Sequence, residues 1–71
     1  MEKKLKKLEK HMRLSGYKAV YSGYFHAVKI FIADFMAADI VKMLKDEGYD
    51  AWSELTGRVV GSVPESAVYA R

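Results

Sequence analysis

The segment AVKIFIA, residues 27–33, constrains the fold most, because it is apolar on both faces of an extended strand. One face would carry the branched aliphatic side chains Val28, Ile30 and Ile32. The other would carry aromatic and small side chains, Phe25, Ala27, Phe31 and Ala33, interrupted by Lys29. A strand of this kind is typical of the middle of a sheet, where other parts of the chain cover both faces at least in part.

The chain has 71 residues and no cysteine. Its length predicts a single domain over residues 1–71. A domain this small buries only about 60% of the surface of its unfolded chain, and we expect it to be marginally stable. Neither disulfides nor thiolate metal sites can reinforce the core, which is compatible with a reducing cytoplasm.

Residues 1–14 are predicted to form a basic amphipathic helix. Its apolar residues recur at helical spacing and form one narrow stripe, Met1, Leu5, Leu8 and Met12. The lysines fall mainly on the opposite side, and Gly16 suits a left-handed helix end. The helix would therefore pack on a sheet through the stripe and expose its lysines.

A β-β-α-β-β core is predicted over residues 17–63. Two strands precede residue 34, with a turn at Ser22-Gly23. Asp34 is predicted to be the N-cap of a second helix that ends near Gly48. Two short strands, AWSEL and RVVGSV, would follow and join at Thr56-Gly57.

Pro64 is predicted to end the last strand, because proline cannot donate to a sheet ladder, and residues 64–71 would be a short tail. The element order is then α-β-β-α-β-β. We expect an α+β two-layer sandwich of two helices and one mixed, mostly antiparallel four-stranded sheet. A right-handed crossover through the second helix would connect the middle strands.

The sequence offers little for catalysis. His11 and His26 have no second histidine or carboxylate at a familiar metal-ligand spacing, and neither GSVPES nor GRVVGS matches a nucleophile elbow or a phosphate loop. We therefore expect no enzyme activity, catalytic residue, metal, cofactor or small-molecule substrate. No apolar run reaches the roughly 20 residues of a membrane span, so we expect a soluble cytoplasmic protein that does not bind membranes.

Charge is unevenly distributed along the chain. Residues 1–18 carry seven positive and two negative side chains, whereas residues 19–71 carry five positive and seven negative ones. The basic helix is either the solvated outer side of a packed helix or a surface that binds nucleic acid or another polyanion. The second alternative would use Lys3, Lys6, Lys7, Lys10 and Arg13. A membrane-binding helix is the weakest alternative, because the apolar stripe has no Trp or Phe to anchor it.

The favoured hypothesis is a small regulatory or inhibitory protein that binds another protein, of the size seen among mobile-element proteins that block host factors. If both helices cover one sheet face, the aromatic face of the second strand stays exposed, and exposed apolar patches usually mark interfaces. The equal alternative is that the first helix covers the aromatic face. A homodimer is an alternative use of such a face. The predicted partner-binding residues are aromatic anchors and steering carboxylates, Tyr24, Phe25, Phe31, Trp52, Asp46, Glu47 and Asp50.

Overall fold

The computed structural model describes residues 2–71, and the predicted place of Met1 in the apolar stripe lies outside them. It contains two helices and four strands in the predicted order. Their bounds are α1 Glu2–Leu14, β1 Lys18–Ser22, β2 Ala27–Ala33, α2 Asp34–Asp46, β3 Ala51–Val60 and β4 Val63–Ala70. The strands form one sheet in the order β1-β2-β4-β3. The predicted two-layer α+β architecture is confirmed.

The sheet differs from the prediction in that every neighbouring pair of strands is antiparallel. The mixed sheet was expected because α2 connects β2 to β3, which run in the same direction. In the structure β4 lies between these two strands and pairs with both. The parallel relationship therefore exists between strands that do not hydrogen-bond to each other.

The predicted tail is wrong: residues 63–70 are β4, an inner strand of the sheet. The predicted turn at Thr56-Gly57 is also wrong, because β3 continues to Val60 with an irregular register between Leu55 and Val59. The hairpin turns instead at Gly61 and Ser62, both at positive φ. Pro64 pairs only with β3, because the ladder between β4 and β2 begins at Glu65. One edge of β4 is therefore unpaired at Pro64, and a residue without an N–H is tolerated there.

Both helices end as predicted at a glycine with φ of +94°, Gly16 for α1 and Gly48 for α2. The amide of the following tyrosine then donates to a carbonyl one turn back, Tyr17 to Met12 and Tyr49 to Leu44, each at 3.0 Å. The start of α2 differs from the prediction. Ala33 occupies the N-cap position without a side-chain capping hydrogen bond, and Asp34 is the first helical residue. The Asp34 carboxylate accepts a hydrogen bond from Ser66.

The main core lies between the sheet and both helices. The helices contribute one buried stripe each, Leu5, Leu8 and Met12 from α1 and Ala37, Ile40 and Leu44 from α2. α1 contacts β1 and β2, whereas α2 contacts β4, β3 and β2. The helices thus lie side by side on the same face of the sheet, and this decides which residues are left for the opposite face.

Candidate partner-binding face

We call the sheet face opposite the two helices the open face. A second, smaller cluster lies there, in which Ala27, Ala67 and Tyr69 are buried and Phe31 and Trp52 pack against them. Strand alternation explains the separation, because Val28, Val68 and Ala70 point to the helices and their neighbours point away. The aromatic side of β2 that the sequence predicted therefore lies on the open face.

The register of the strands places cations beside aromatic rings across the open face. Lys18 is opposite Phe31, Lys29 is opposite Tyr69, and Trp52 is opposite Tyr69 on the other side. Trp52 and Tyr69 stack, with ring centroids 5.2 Å apart and planes 12° apart. Cross-strand pairs of this kind stabilise a sheet through side-chain contact.

Three cations complete this arrangement. The Arg71 guanidinium lies 5.0 Å from the Trp52 ring centroid, and the Lys18 ammonium lies 5.4 Å from that of Phe31. The Lys29 ammonium lies between two rings, 5.2 Å from Phe31 and 5.6 Å from Tyr69. These distances are within the range of cation–π attraction. We call the whole set the cation–aromatic row: Arg71, Trp52, Tyr69, Lys29, Phe31 and Lys18.

The loop between β1 and β2 covers one end of the row. It comprises residues 23–26, longer than the predicted two-residue turn, and His26 takes a positive φ of 51° in it. The Phe25 ring lies 5.1 Å from that of Tyr69, and together with Trp52 and Lys29 it surrounds Tyr69, which is only 5% exposed. Tyr24 packs edge-on against Phe25 at 4.9 Å yet remains 89% exposed. Its ring therefore projects from the loop into solvent.

An open groove of about 320 Å³ lies at the other end, where the β3–β4 hairpin meets β2. Its walls are mostly apolar and it has one lysine and one glutamate, with lining residues Lys18, Phe31, Ile32, Ala33, Val60, Val63, Pro64 and Glu65. The glutamate is already engaged: the Thr56 hydroxyl donates to the Glu65 carboxylate at 3.0 Å, and the Arg58 guanidinium is 3.9 Å away. Lys18 is thus the charged group that the groove offers to a ligand.

The structure separates the predicted acidic residues from the aromatic ones. Asp46 ends α2 and pairs with Lys42 at 3.0 Å, and Glu47 follows as the helix C-cap. Both belong to the helix layer, on the other side of the sheet. Asp50 lies at the border, where its backbone exchanges two hydrogen bonds with Arg71, at 3.1 and 2.8 Å. The predicted site therefore divides into an aromatic face and an acidic helix end.

Lys18, Arg71 and Tyr69 also belong to this face, and the sequence did not predict them. Tyr69 and Arg71 were assigned to a tail, and without β4 nothing placed them beside Trp52. Lys29 was the residue that could have indicated a cation among the aromatic rings, because a lysine in the middle of an apolar strand needs surroundings that accommodate its charge. In the structure, those surroundings are the pair of aromatic rings on either side of it.

The basic helix keeps part of its charge exposed. Lys3, Lys7 and Lys10 recur at one-turn and two-turn spacing and are exposed. Lys6 is also exposed, although its ammonium lies 5.1 Å from the Tyr21 ring centroid. Arg13 is engaged internally, because its Nε donates to the Ala19 carbonyl at 2.7 Å. The predicted nucleic-acid residues thus lie on α1, in the layer opposite the open face.

Groups for other functions are scarce in the described part of the chain. Among residues 2–71 no cluster of three histidine, cysteine, aspartate or glutamate side chains is placed to hold a metal ion. Neither α1 nor α2 has the length and apolar character to cross a membrane. Comparisons with protein-family models, with curated proteins and with solved structures find no match to this chain.

Proposed function

We propose that this chain is a small, non-enzymatic regulatory or inhibitory protein that binds another protein through the open face. The observation that carries the proposal is the gathering of aromatic side chains on the sheet face opposite both helices. Tyrosine and tryptophan are the side chains most enriched at binding hot spots, because they bury a large surface with little loss of conformational freedom. The proposal places the protein in the cytoplasm, where a domain without disulfides needs no oxidation to fold.

Tyr24, Phe25 and Trp52 are the proposed anchors. Tyr24 contributes little buried area to the isolated domain, since most of its surface is exposed. Trp52 and Phe25 are partly covered by Tyr69, so the fold holds their rings in place before a partner arrives. Anchors with fixed orientation bind more tightly because less entropy is lost on association.

The acidic residues have a different part in this proposal from the one that the sequence suggested. Asp50 adjoins the end of the row and can contact the same partner. Asp46 and Glu47 lie in the helix layer and act at longer range, where charges affect the rate of association more than its final strength. Reversing their charge should therefore slow binding rather than abolish it.

Site-specific photo-crosslinking in the source cells tests the proposal. A benzophenone amino acid would replace Tyr24, and in a second strain it would replace His11, an exposed residue of α1. We expect one discrete protein crosslinked from position 24 that untagged wild-type protein competes away, and no such product from position 11. Equal products from both positions, or none from position 24, would contradict binding through the open face.

A second candidate function is binding of nucleic acid or another polyanion through α1. The specific observation is the exposed stripe of Lys3, Lys7 and Lys10, which presents three ammonium groups along one side of the helix. Three phosphate contacts would give an attraction that falls steeply with salt. The two candidates use opposite layers of the molecule, so variants in one layer separate them.

A further inference from the structure

We infer that the open face recognises an acidic protein segment in which an apolar side chain enters the groove beside Phe31 and a neighbouring carboxylate pairs with Lys18. The inference rests on the proposed function and narrows its partner to one chemical class. It goes beyond that function because it names the two contacts that select the partner.

The groove suits a single apolar side chain. Phe31, Val60, Val63 and Pro64 supply aliphatic or aromatic surface, and the volume of about 320 Å³ is near the lower end for ligand sites. Val60 is more than half exposed in the isolated domain, so a side chain seated in the groove would remove apolar surface of both molecules from water. A branched or aromatic side chain of a partner is the ligand that this surface fits.

The charges beside the groove select an acidic neighbour. Lys18 and Lys29 form no ion pair with the described residues, and each lies over the Phe31 ring. Glu65 does not cancel them, because its carboxylate is held by Thr56 and Arg58 and its side chain is only 12% exposed. A carboxylate within reach of Lys18 would gain a charge-assisted hydrogen bond, and this contact would favour an acidic segment over a neutral or basic one.

The same features disfavour two other occupants. Face-to-face docking of a second copy would bring three cations from each chain, Lys18, Lys29 and Arg71, into one interface. The exposed Glu54 of each open face would offset only part of this positive charge, so like charges oppose association. Single-stranded nucleic acid would stack its bases on aromatic ring faces. Here the Trp52 ring already stacks on Tyr69 and contacts the Arg71 guanidinium, and the Phe31 ring already contacts two lysine ammonium groups. These contacts leave the two rings less free to stack on bases.

The test is selection of short peptides from a random displayed library on the immobilised protein. Binding of each selected peptide would be measured through the fluorescence of Trp52, the single tryptophan of the chain, which lies on the open face. Lys18→Glu reverses the selecting charge, and Lys10→Glu makes the same charge change on α1. Val60→Ser removes an apolar wall of the groove, and Val59→Ser alters its exposed neighbour, which does not line the groove.

We expect selected peptides to carry Asp or Glu beside a large apolar residue. Lys18→Glu and Val60→Ser should each lower the affinity for these peptides by about tenfold or more, whereas Lys10→Glu and Val59→Ser should leave the affinity unchanged. Selection repeated on the Lys18→Glu protein should yield Lys or Arg in place of the acid. Circular dichroism melts of all four variants would show that the domain remains folded.

Three results would overturn the inference. The first is selection of peptides without acidic residues whose binding Lys18→Glu does not weaken. This result would refute the acidic preference but not binding through the open face. The second is an absence of peptides that depend on Val60. The third is quenching of Trp52 by an oligothymidine at moderate salt that Lys18→Glu abolishes, which would make the occupant a nucleic acid. Crosslinking from position 24 decides the proposed function separately in each case.

Discussion

Ser66 donates its hydroxyl hydrogen to the carboxylate of Asp34 across 2.7 Å, which ties the inner strand β4 to the first residue of α2. The two partners differ in their surroundings. Ser66 is 1% exposed, whereas Asp34 is exposed to solvent. Loss of the contact would therefore leave the serine hydroxyl without water, while the carboxylate could be hydrated.

This asymmetry predicts unequal effects of the two single substitutions. Asp34→Ala should lower the free energy of unfolding by about 2 kcal/mol, because it leaves a buried hydroxyl unsatisfied. Ser66→Ala should cost only about 1 kcal/mol, since it also removes the buried polar group. Urea denaturation would measure both, with Asp39→Ala as the control for an exposed acid of α2. A larger loss for Ser66→Ala would contradict this account.

A second prediction concerns β4. A chain that ends at Val63 loses the strand that pairs with both β2 and β3, so we expect it to show no cooperative thermal transition. A chain shortened only by Arg71 should still unfold cooperatively, because residues 63–70 remain. Circular dichroism melting distinguishes the two. Cooperative unfolding of the shorter chain would mean that the remaining strands make a stable sheet alone.

The error over β4 shows what local sequence patterns can and cannot predict here. Helical periodicity and glycine signals correctly predicted α1 and the ends of both helices, because these depend on residues close in sequence. Pro64 suggested a strand end because proline cannot donate a backbone hydrogen bond. This reason is valid only where both edges of the strand are paired. That condition depends on β2, whose residues are more than thirty positions away along the chain.

The site was predicted only in part for the same reason. Strand alternation predicted that Phe25 and Phe31 share a face, and Tyr24 and Trp52 were added by residue type. The fold places all four on one side of the sheet. Two of their cationic neighbours were not predicted, because Lys18 and Arg71 meet the rings only through strand register. The acidic residues were grouped by closeness in sequence. The turn after α2 places Asp46 and Glu47 in the helix layer and Asp50 at the border of the open face.

The third prediction concerns the core under α2. Leu44 is fully buried, and Leu44→Ala should lower the free energy of unfolding by about 3 kcal/mol. That is a large share of the stability of a domain this small. Met43→Ala alters the partly exposed neighbour on the same helix and should cost less than about 1 kcal/mol. Chemical denaturation of both would check the contrast, and similar losses would mean that the α2 interface is misassigned.

The fourth prediction is a loss of stability at alkaline pH. Partial burial, and secondarily the nearby Glu47 carboxylate, raises the pKa of Tyr49 above its ordinary value of 10.0. The folded state therefore holds the phenolic proton more tightly than the unfolded chain does. This contribution is fully present below pH 10 and is lost as the pH rises through the folded pKa.

Tyr49→Phe should remove the part of the alkaline loss of stability that comes from this phenol, and Glu47→Gln should make that part smaller. Denaturation curves at several alkaline pH values would measure the effect, and ultraviolet titration of tyrosinate would compare the wild type with Tyr49→Phe. Tyr17→Phe, on the other helix end, serves as the control. An identical pH dependence in the wild type and in Tyr49→Phe would refute the role of this tyrosine.

The last prediction separates the lysines of α1 from its arginine. Labelled single- and double-stranded DNA and RNA, followed by fluorescence anisotropy, should bind only at low salt, because a stripe of three lysines neutralises few phosphates. Changing Lys3, Lys7 and Lys10 to Ala should abolish that binding and leave the melting temperature unchanged. Arg13→Gln should instead lower the melting temperature, since its guanidinium bonds the Ala19 carbonyl and pairs with Glu9 at 3.3 Å. Tight binding at about 0.15 M salt that the triple variant loses would favour the nucleic-acid function over the open face.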